Sequence, residues 1–324
     1  MMSADAFDKK QMLFVFTRDG DKISFSNDNI VVKDGDGNIR HQSTCYRIFA
    51  LFIVGDITIT SGIIQRSRKF GFPIFLMNGS FRTYDVIGHR TEGNFILRKL
   101  QYDYDGLDIA KQIVKNKIDN QIATLNLQRW KNNEMRADIS SLERYAASVN
   151  IFDGDLKGLM GIEGSASRIY FRNNFDMDAW SGRKPKIKSD FINTTLDIGY
   201  TVLFNFVDAM LGLYGFDTYK GVYHREFYMR KSLVCDMVEP FRPLIDWQVR
   251  KAINLGQCKP EDFIISNGRS LLDISKNKDY LGFLMKPLLA SKERIFLYFQ
   301  SFYRAFMKHK PASEFPVFRI ADEE

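Results

Sequence analysis

Cysteine is scarce in this chain of 324 residues. Only Cys45, Cys235 and Cys258 occur, and no two of them stand at CxxC spacing. The spacing argues against a thiolate zinc site and suggests no disulfide framework, so a reducing compartment fits. The first residues, MMSADAFDKKQ, also lack the apolar stretch of a signal peptide. We therefore expect a cytoplasmic protein.

Long uninterrupted hydrophobic runs are missing as well. The most apolar region, residues 192–216, contains Asp197 and Asp208, so we expect no segment that spans a membrane. There is no internal repeat and no low-complexity tract. A boundary between domains therefore has to be found from a change of periodicity alone.

The composition is that of a folded protein with an excess of positive charge. Hydrophobic residues make up 45% and charged residues 26% of the chain, and the formal net charge is +7. This charge favours an acidic polymer such as nucleic acid as the partner, but charge alone does not establish one. The length suits two domains better than one.

Short strands are predicted between residues 12 and 87. The runs MLFVF, KISF, NIVV, YRIFALFIV and FPIFLM are rich in β-branched and aromatic residues, and glycine-containing turns separate several of them. The turn DGDGN (34–38) resembles a calcium loop, but Ile39 and Cys45 stand where such a loop needs glycine and a bidentate acid. We interpret it as a hairpin turn. Residues 1–92 are thus predicted to form a small β-sheet domain.

From residue 93 to residue 324 the pattern changes to helical spacing, which predicts a larger all-α domain and an α+β fold overall. A helix over 106–132 leads into it. Further helices are predicted near 134–150, 155–174, 189–215, 226–239, 242–254, 259–264 and 283–309.

One acidic residue lies on an apolar helical stripe. The stripe consists of Leu156, Met160, Glu163, Ala166 and Tyr170, at spacings of three and four residues. A carboxylate on a buried stripe is costly unless a cation or several donors compensate it. Pairing with an arginine such as Arg168 at the edge of the helix is the simpler alternative.

Two further candidates follow in the segment HREFYMRKSLVCDMVEP. Asp236 and Glu239 are one helical turn apart and point the same way, a spacing that is also common on solvated helices. One straight helix would place His224 about 22 Å from Glu239, so the chain must bend after His224 if the two are to meet. An isolated histidine is more often a surface residue than a metal ligand.

Four segments together resemble one family. GIEGSASRIYF, GRKPKIKSDFINTTL, GFDTYKGVYH and SLVCDMVEPFRP, in this order, are similar to the signature segments of the CRISPR-associated spacer-acquisition integrases. The run VGDITITSGIIQRSRKFGFPIFLMNG resembles the β domain of that family. Thr218 and Lys186 depart from the family pattern, which often has proline at both positions. Neither departure falls on a ligand of the pattern.

The resemblance implies a metal-dependent DNA endonuclease and integrase whose helical domain is catalytic. It assigns the metal to Glu163, His224 and Glu239, with Asp236 as a near neighbour. Two carboxylates and an imidazole suit Mg²⁺ or Mn²⁺, and the number of ions stays open. The family also implies a homodimer, with the β domain as the expected contact, and a small CRISPR-associated protein that bridges two dimers.

Basic residues cluster around these motifs. We interpret them as contacts to the phosphates of double-stranded DNA, although each could be an ordinary solvated residue. They are Arg168, Arg172, Arg183, Lys184, Lys186, Arg225, Arg230 and Lys231. Two alternatives remain: a catalytically silent DNA-binding scaffold, and a structural protein whose acids are paired in the core.

Overall fold

A computed structural model describes residues 2–88, 91, 93–175, 180–224 and 228–320. The chain divides into two compact units. The first unit runs through Phe95 and also includes Asn205–Phe216. The second unit comprises Ile96–Phe204 and the residues from Asp217 onward.

The first unit holds most of the β structure. Its strands are β1 (Gln11–Phe16), β2 (Lys22–Ser26), β3 (Asn29–Lys33), β4 (Ile39–Thr44), β5 (Ile48–Val54), β6 (Pro73–Met77) and β7 (Thr83–Gly88). Two helices accompany them, α1 (Ala4–Asp8) and α2 (Ser61–Phe70).

These strands form two sheets. The larger has the order β1-β5-β6-β7, with β5 parallel to both β1 and β6, and β7 antiparallel to β6. Every residue of β5 and β6 is buried, which explains why both strands are continuous hydrophobic runs. The smaller sheet is antiparallel with the order β2-β3-β4.

The segment DGDGN forms the predicted hairpin turn between β3 and β4. The N–H of Asp34 donates to the carbonyl of Asn38, and the Asp34 side chain accepts from the N–H groups of Asp36 and Asn38. Gly37 has φ 88°, a conformation that glycine adopts without strain. The carboxylate of Asp34 is therefore used within the turn itself.

The second unit is mostly helical, as predicted. Helices of the chain from residue 95 onward are α3 (Phe95–Asp103), α4 (Asp108–Asn126), α5 (Asn133–Asn150), α6 (Leu156–Asn174), α7 (Phe191–Tyr214), α8 (Ser232–Val238), α9 (Arg242–Asn254), α10 (Asn277–Ala290) and α11 (Lys292–Met307). The helix α7 contributes residues to both units.

Several details differ from the sequence prediction. The single helix predicted over 283–309 is two helices, α10 and α11, separated at Ser291. The segment predicted as a helix near 259–264 contains only a short 3₁₀ turn, Pro260–Asp262, followed by a hairpin of β8 (Phe263–Ser266) and β9 (Arg269–Leu272). Asn267 and Gly268 have positive φ and make its two-residue turn, a short-range signal in the sequence. The helix predicted over 226–239 begins only at Ser232. The strands β4 and β7, whose residues are mostly exposed or half-buried, were not predicted.

The helix α4 packs at the centre of the second unit. It contacts α5, α6, α8 and α9, and eleven of its residues are buried, including polar ones such as Asn116 and Asn120. The Asn116 side chain donates to the carbonyl of Phe318 and accepts from its N–H group, and Asn120 accepts from the N–H of Ile320. These amides bind the carboxy-terminal segment to α4.

The helix α7 is long and apolar enough to cross a bilayer by length and composition. It is the one such helix in the described ranges, and most of its apolar window is buried inside the protein. Gly199 allows the close packing of α7 on α9, because a Cβ there would lie 2.5 Å from Ile245 Cγ2. Burial of this kind is typical of a core helix. It agrees with the expectation from the sequence that this region does not span a membrane.

Candidate functional site

Two of the predicted ligands meet at a lysine. Glu163 lies on α6, and Glu239 begins the 3₁₀ turn Glu239–Phe241 directly after α8. The ammonium of Lys117 on α4 hydrogen-bonds to Glu163 Oε1 and lies 2.7 Å from Glu239 Oε2. Carboxylates from two distant parts of the sequence therefore converge on one position for a cation.

The cluster is largely withdrawn from solvent. The side chains of Lys117, Glu163 and Glu239 are 10%, 21% and 5% exposed. Burial alone would lower the pKa of Lys117, but the negative charges of Glu239 and Glu163 raise it above its ordinary value. The lysine is therefore charged, and it provides the compensation that a carboxylate on a buried stripe needs.

Arg242 holds the other oxygen of Glu239. Its Nε lies 3.1 Å from Glu239 Oε1, and its guanidinium stacks 4.6 Å from the centre of the Tyr200 ring. Burial would raise the pKa of Glu239, but Arg242, Lys117 and His224 lower it to about 2. Glu239 is therefore ionised at neutral pH.

His224 is positioned by the fully buried carboxylate of Asp236. Asp236 Oδ2 accepts the backbone N–H groups of Val222 and Tyr223, at 2.7 and 3.0 Å. Its Oδ1 accepts the N–H of His224 and lies 2.8 Å from Nδ1 of the same residue. If Nδ1 carries the proton, Nε2 keeps its lone pair for a metal or a proton. Asp236 thus orients the imidazole.

The bend expected near His224 is present. His224 lies in a loop, and α8 begins eight residues later. A Cβ at Gly221 would lie 2.7 Å from the carbonyl oxygen of His224 and 2.8 Å from Asp236 Oδ2. Only glycine leaves enough space for the loop to close around the Asp236 carboxylate.

The environment of Glu163 differs from the predicted stripe in two respects. Ala166 and Tyr170 are buried as predicted, but near the start of α6 Leu159 is buried and Met160 is 38% exposed. The cation that pairs with Glu163 is Lys117 on another helix, and Arg168 is exposed. Gly161 and Gly164 face open space, since no atom lies within 4 Å of a Cβ built at either position.

Four of the eight basic residues predicted to contact DNA have side chains bonded within the protein. Arg183 is the clearest example, because it donates to Asn193 and Asp197 and its side chain is only 11% exposed. Arg172 pairs with Asp138 at 2.7 Å but remains half exposed. Lys184 donates to Ser181, and Arg230 donates to the sulfur of Cys235.

Lys186 and Lys231, two other predicted DNA contacts, have different surroundings. Lys186 is exposed and has a φ of 64°. Proline, which the family pattern often has at this position, does not adopt this value. Lys231 directly precedes α8. Arg225 lies outside the described residues.

Sequence reasoning missed Lys117 and Arg242. Lys117 shares the buried face of α4 with Val114, Ile118 and Gln121, so a lysine at helical spacing within an apolar stripe was the available signal. Arg242 stands three residues after Glu239, a spacing typical of paired charges on a helix. Tyr200, on whose ring Arg242 stacks, donates its hydroxyl to Asp246.

The site as described does not contain three converged metal ligands. Within the described ranges, no group of three or more His, Cys, Asp or Glu side chains is arranged to hold a metal ion. The two carboxylates nevertheless share one cation. Glu239 Oε2 is buried, and among the described residues it has the ion pair with Lys117 but no well-aligned hydrogen bond. An oxygen of this kind, which shares one cation with a second carboxylate, is the type of ligand that a hard divalent cation takes.

The fold and the site define an α+β protein whose helical unit carries paired carboxylates and an oriented histidine. The family model described as CRISPR associated protein Cas1 matches residues 14–285. The chain therefore belongs to the Cas1 family.

Individual relatives agree with this assignment. "CRISPR-associated endonuclease Cas1 1" of Thermodesulfovibrio yellowstonii is 30% identical over 222 residues, which are 63% of this chain and 69% of the relative. A chain in the structure titled "Cas6-RT-Cas1--Cas2 complex" superposes with a TM-score of 0.81 at 25% identity, over 96% of this chain but only 36% of that longer chain. The structure titled "Casposase bound to integration product" has a TM-score of 0.75 at 18% identity and covers 96% of both chains, a likeness of fold.

Proposed function

We propose that this chain is a divalent-metal-dependent DNA integrase and endonuclease that joins the 3′ ends of short foreign DNA fragments into a CRISPR repeat array. The observations that carry the proposal are the convergence of Glu163 and Glu239 on one cation position and the orientation of the His224 imidazole by Asp236. Attack by a 3′-hydroxyl joins DNA strands, whereas attack by water cuts them.

The proposed ligands are Glu163, Glu239 and Nε2 of His224, and the proposed ion is Mg²⁺ or Mn²⁺. When bound, such an ion polarises a phosphodiester and stabilises the charge that develops on its non-bridging oxygens. Nitrogen in the ligand set makes Mn²⁺ a suitable activator.

The remaining residues of the site act on these three. Asp236 fixes the imidazole by its contact with Nδ1, and Arg242 holds Glu239 by its Oε1 atom. A carboxylate with a pKa near 2 stays an anion over the whole physiological range, so Glu239 needs no proton transfer before it binds a cation. The open space beside Gly161 and Gly164 allows a DNA backbone to approach α6 closely.

For the partners we propose double-stranded DNA, a second copy of this chain and a small bridging protein. The net charge of +7 suits a polyanion. A neighbour of this fold is titled as a Cas1–Cas2 complex, which supports a small CRISPR-associated partner. The prokaryotic cytoplasm, where such arrays are located, is the proposed compartment.

The pairing of both acids with Lys117 also suits a different function. A catalytically silent scaffold could keep the ion pairs solely for stability, since breaking a buried pair is strongly destabilising. The two possibilities differ in their response to metal. Only the integrase gives strand joining or cleavage that depends on Mg²⁺ or Mn²⁺.

The test uses a branched DNA substrate with either metal and compares product formation with DNA affinity. We expect Glu163→Gln, His224→Ala and Glu239→Gln each to abolish joining and cleavage while most of the DNA affinity remains. Phosphate contacts supply the affinity, whereas the cation acts mainly on charge that develops in the transition state. Near-normal activity of Glu163→Gln or Glu239→Gln in both metals would exclude the proposed mechanism.

A further inference from the structure

Lys117 is the member of the cluster for which the proposed chemistry provides no role. It is a buried lysine, at 8% residue exposure, and both carboxylates proposed as metal ligands are directed at its ammonium. An ammonium is a cation that binds carboxylate oxygens at nearly the position a metal ion requires. The lysine therefore lies where the proposed ion would be bound.

The two cations exclude one another. A magnesium ion contacts carboxylate oxygens at about 2.0–2.1 Å and requires nearly octahedral geometry. An ammonium in contact with the same oxygens would lie only a few ångströms from that ion, and two like charges so close repel strongly in a buried site. Both cannot occupy Glu163 Oε1 and Glu239 Oε2 together.

The contacts of Glu239 are divided in a way that permits exchange. Arg242 contacts Oε1, whereas Lys117 contacts Oε2. Departure of the ammonium therefore frees Oε2 while Arg242 still holds the carboxylate. Ser167 donates to Glu163 Oε1 at 2.8 Å, the oxygen that Lys117 also contacts, so this carboxylate keeps one hydrogen bond when the ammonium leaves.

We propose that Lys117 is an internal counter-ion that competes with the divalent cation for Glu163 and Glu239, so that metal binds only when the ammonium leaves. This inference rests on the proposed function, because it takes these two carboxylates as metal ligands. In the metal-free protein the lysine compensates two buried negative charges that would otherwise repel each other. Its removal weakens the metal-free fold and strengthens metal binding, a combination that an ordinary structural ion pair does not produce.

The same helix offers a matched control. Lys115 pairs with Asp119 at 2.6 Å, but both side chains are about one third exposed or more and their pair is separate from the cluster. Replacing Lys115 by methionine removes one positive charge from α4 without touching the carboxylates. It therefore separates a change in net charge from the loss of the competing ammonium.

The experiment measures Mn²⁺ binding to the full chain without DNA, by electron paramagnetic resonance of the free ion. We expect Lys117→Met to bind Mn²⁺ about 10- to 100-fold more tightly than the unmodified protein, the range set by the loss of one or two charged hydrogen bonds. Lys115→Met should leave the affinity unchanged within about threefold, as expected for a screened surface charge.

A third variant distinguishes an error in the proposed metal site from an error in the proposed competition. If Glu239→Gln binds Mn²⁺ as well as the unmodified chain, the proposed metal site itself is wrong. If Glu239→Gln loses binding but Lys117→Met shows no gain, the site stands and the competition is wrong.

A measurement on the unmodified protein tests the proposal even if Lys117→Met does not fold. Acetylation of Lys117 by acetic anhydride, followed by mass spectrometry, should be slow without metal and severalfold faster in saturating Mn²⁺, because the ammonium is displaced. Lys115 serves as the internal reference. An unchanged rate at Lys117 while Mn²⁺ is bound would overturn the proposal.

Discussion

Replacing Asp236 by asparagine separates the positioning of His224 from the binding of the metal. The carboxylate accepts three backbone N–H groups and lies against Nδ1 of His224. An asparagine has one carbonyl oxygen, so it can satisfy the N–H groups of Val222 and Tyr223 or the groups of His224, but not both pairs.

When the asparagine carbonyl accepts the N–H groups of Val222 and Tyr223, two consequences can be measured. The N–H of His224 no longer has an acceptor, which costs about 1–3 kcal/mol of the free energy of unfolding. The NH₂ group of the substituted amide would also face Nδ1 and favour the tautomer in which Nε2 carries the proton. Because a protonated Nε2 cannot bind a metal, we expect Mn²⁺ affinity to fall by about 10- to 100-fold.

The assay combines urea unfolding, Mn²⁺ titration and long-range ¹H–¹⁵N correlation spectra of the imidazole. The unmodified protein should show the Nδ1–H tautomer when it is free of metal, and Asp236→Asn should show the Nε2–H tautomer. Asp138→Asn is the control, since Asp138 binds Arg172 and Asn173, away from His224. An Nε2–H tautomer in the unmodified protein would refute the reasoning.

Two further predictions concern charge. Replacing Lys184 and Lys186 by alanine should reduce the slope of log DNA affinity against log salt by roughly 0.9 for each phosphate that the variant no longer neutralises. Arg183→Ala should instead chiefly lower thermal stability, because its guanidinium is bonded to Asn193 and Asp197. An unchanged slope for the lysine pair would show that this loop does not bind DNA. Burial raises the pKa of Asp246 to about 6, although Tyr200 and Arg242 oppose the rise. A carboxyl whose pKa is raised on folding stabilises the protein below the pKa of the unfolded chain, and this contribution disappears as pH rises through about 6. The unfolding free energy of the unmodified protein relative to Asp246→Asn should therefore increase between pH 7 and pH 4, by about 2 kcal/mol for a pKa of 6 against 3.8. A difference that is constant with pH, measured by urea unfolding, would contradict this.

The sequence by itself determined the elements whose signals are local. The buried strands β5 and β6 are continuous apolar runs, and α4 to α7 have strong helical periodicity or apolar content, so each was predictable without knowledge of its neighbours. The hairpin turn at 34–38 was predictable for the same reason, since its Asp and Gly residues act within five positions. The strands β4 and β7, which bury few residues, gave no such signal.

Local sequence patterns predicted only some of the residues of the site. Glu163 was predicted because a carboxylate is costly on an apolar stripe, and Glu239 because it stands one helical turn after Asp236. The segments around both also resemble a known family. The need for a bend after His224 also followed from helix geometry alone. The residue that closes this bend, Asp236, was identified only as a near neighbour.

Only the tertiary structure showed which charges compensate one another. Lys117 is 46 residues from Glu163 and 122 from Glu239 in sequence, and their meeting depends on the packing of α4 against α6 and the turn at Glu239. In the same way, Arg183 belongs to a basic run in the sequence but is bonded to Asp197 in the fold. The reason is physical: helical periodicity tells which side of a helix is buried, whereas the partner of a buried charge is set by long-range packing, which no local pattern specifies.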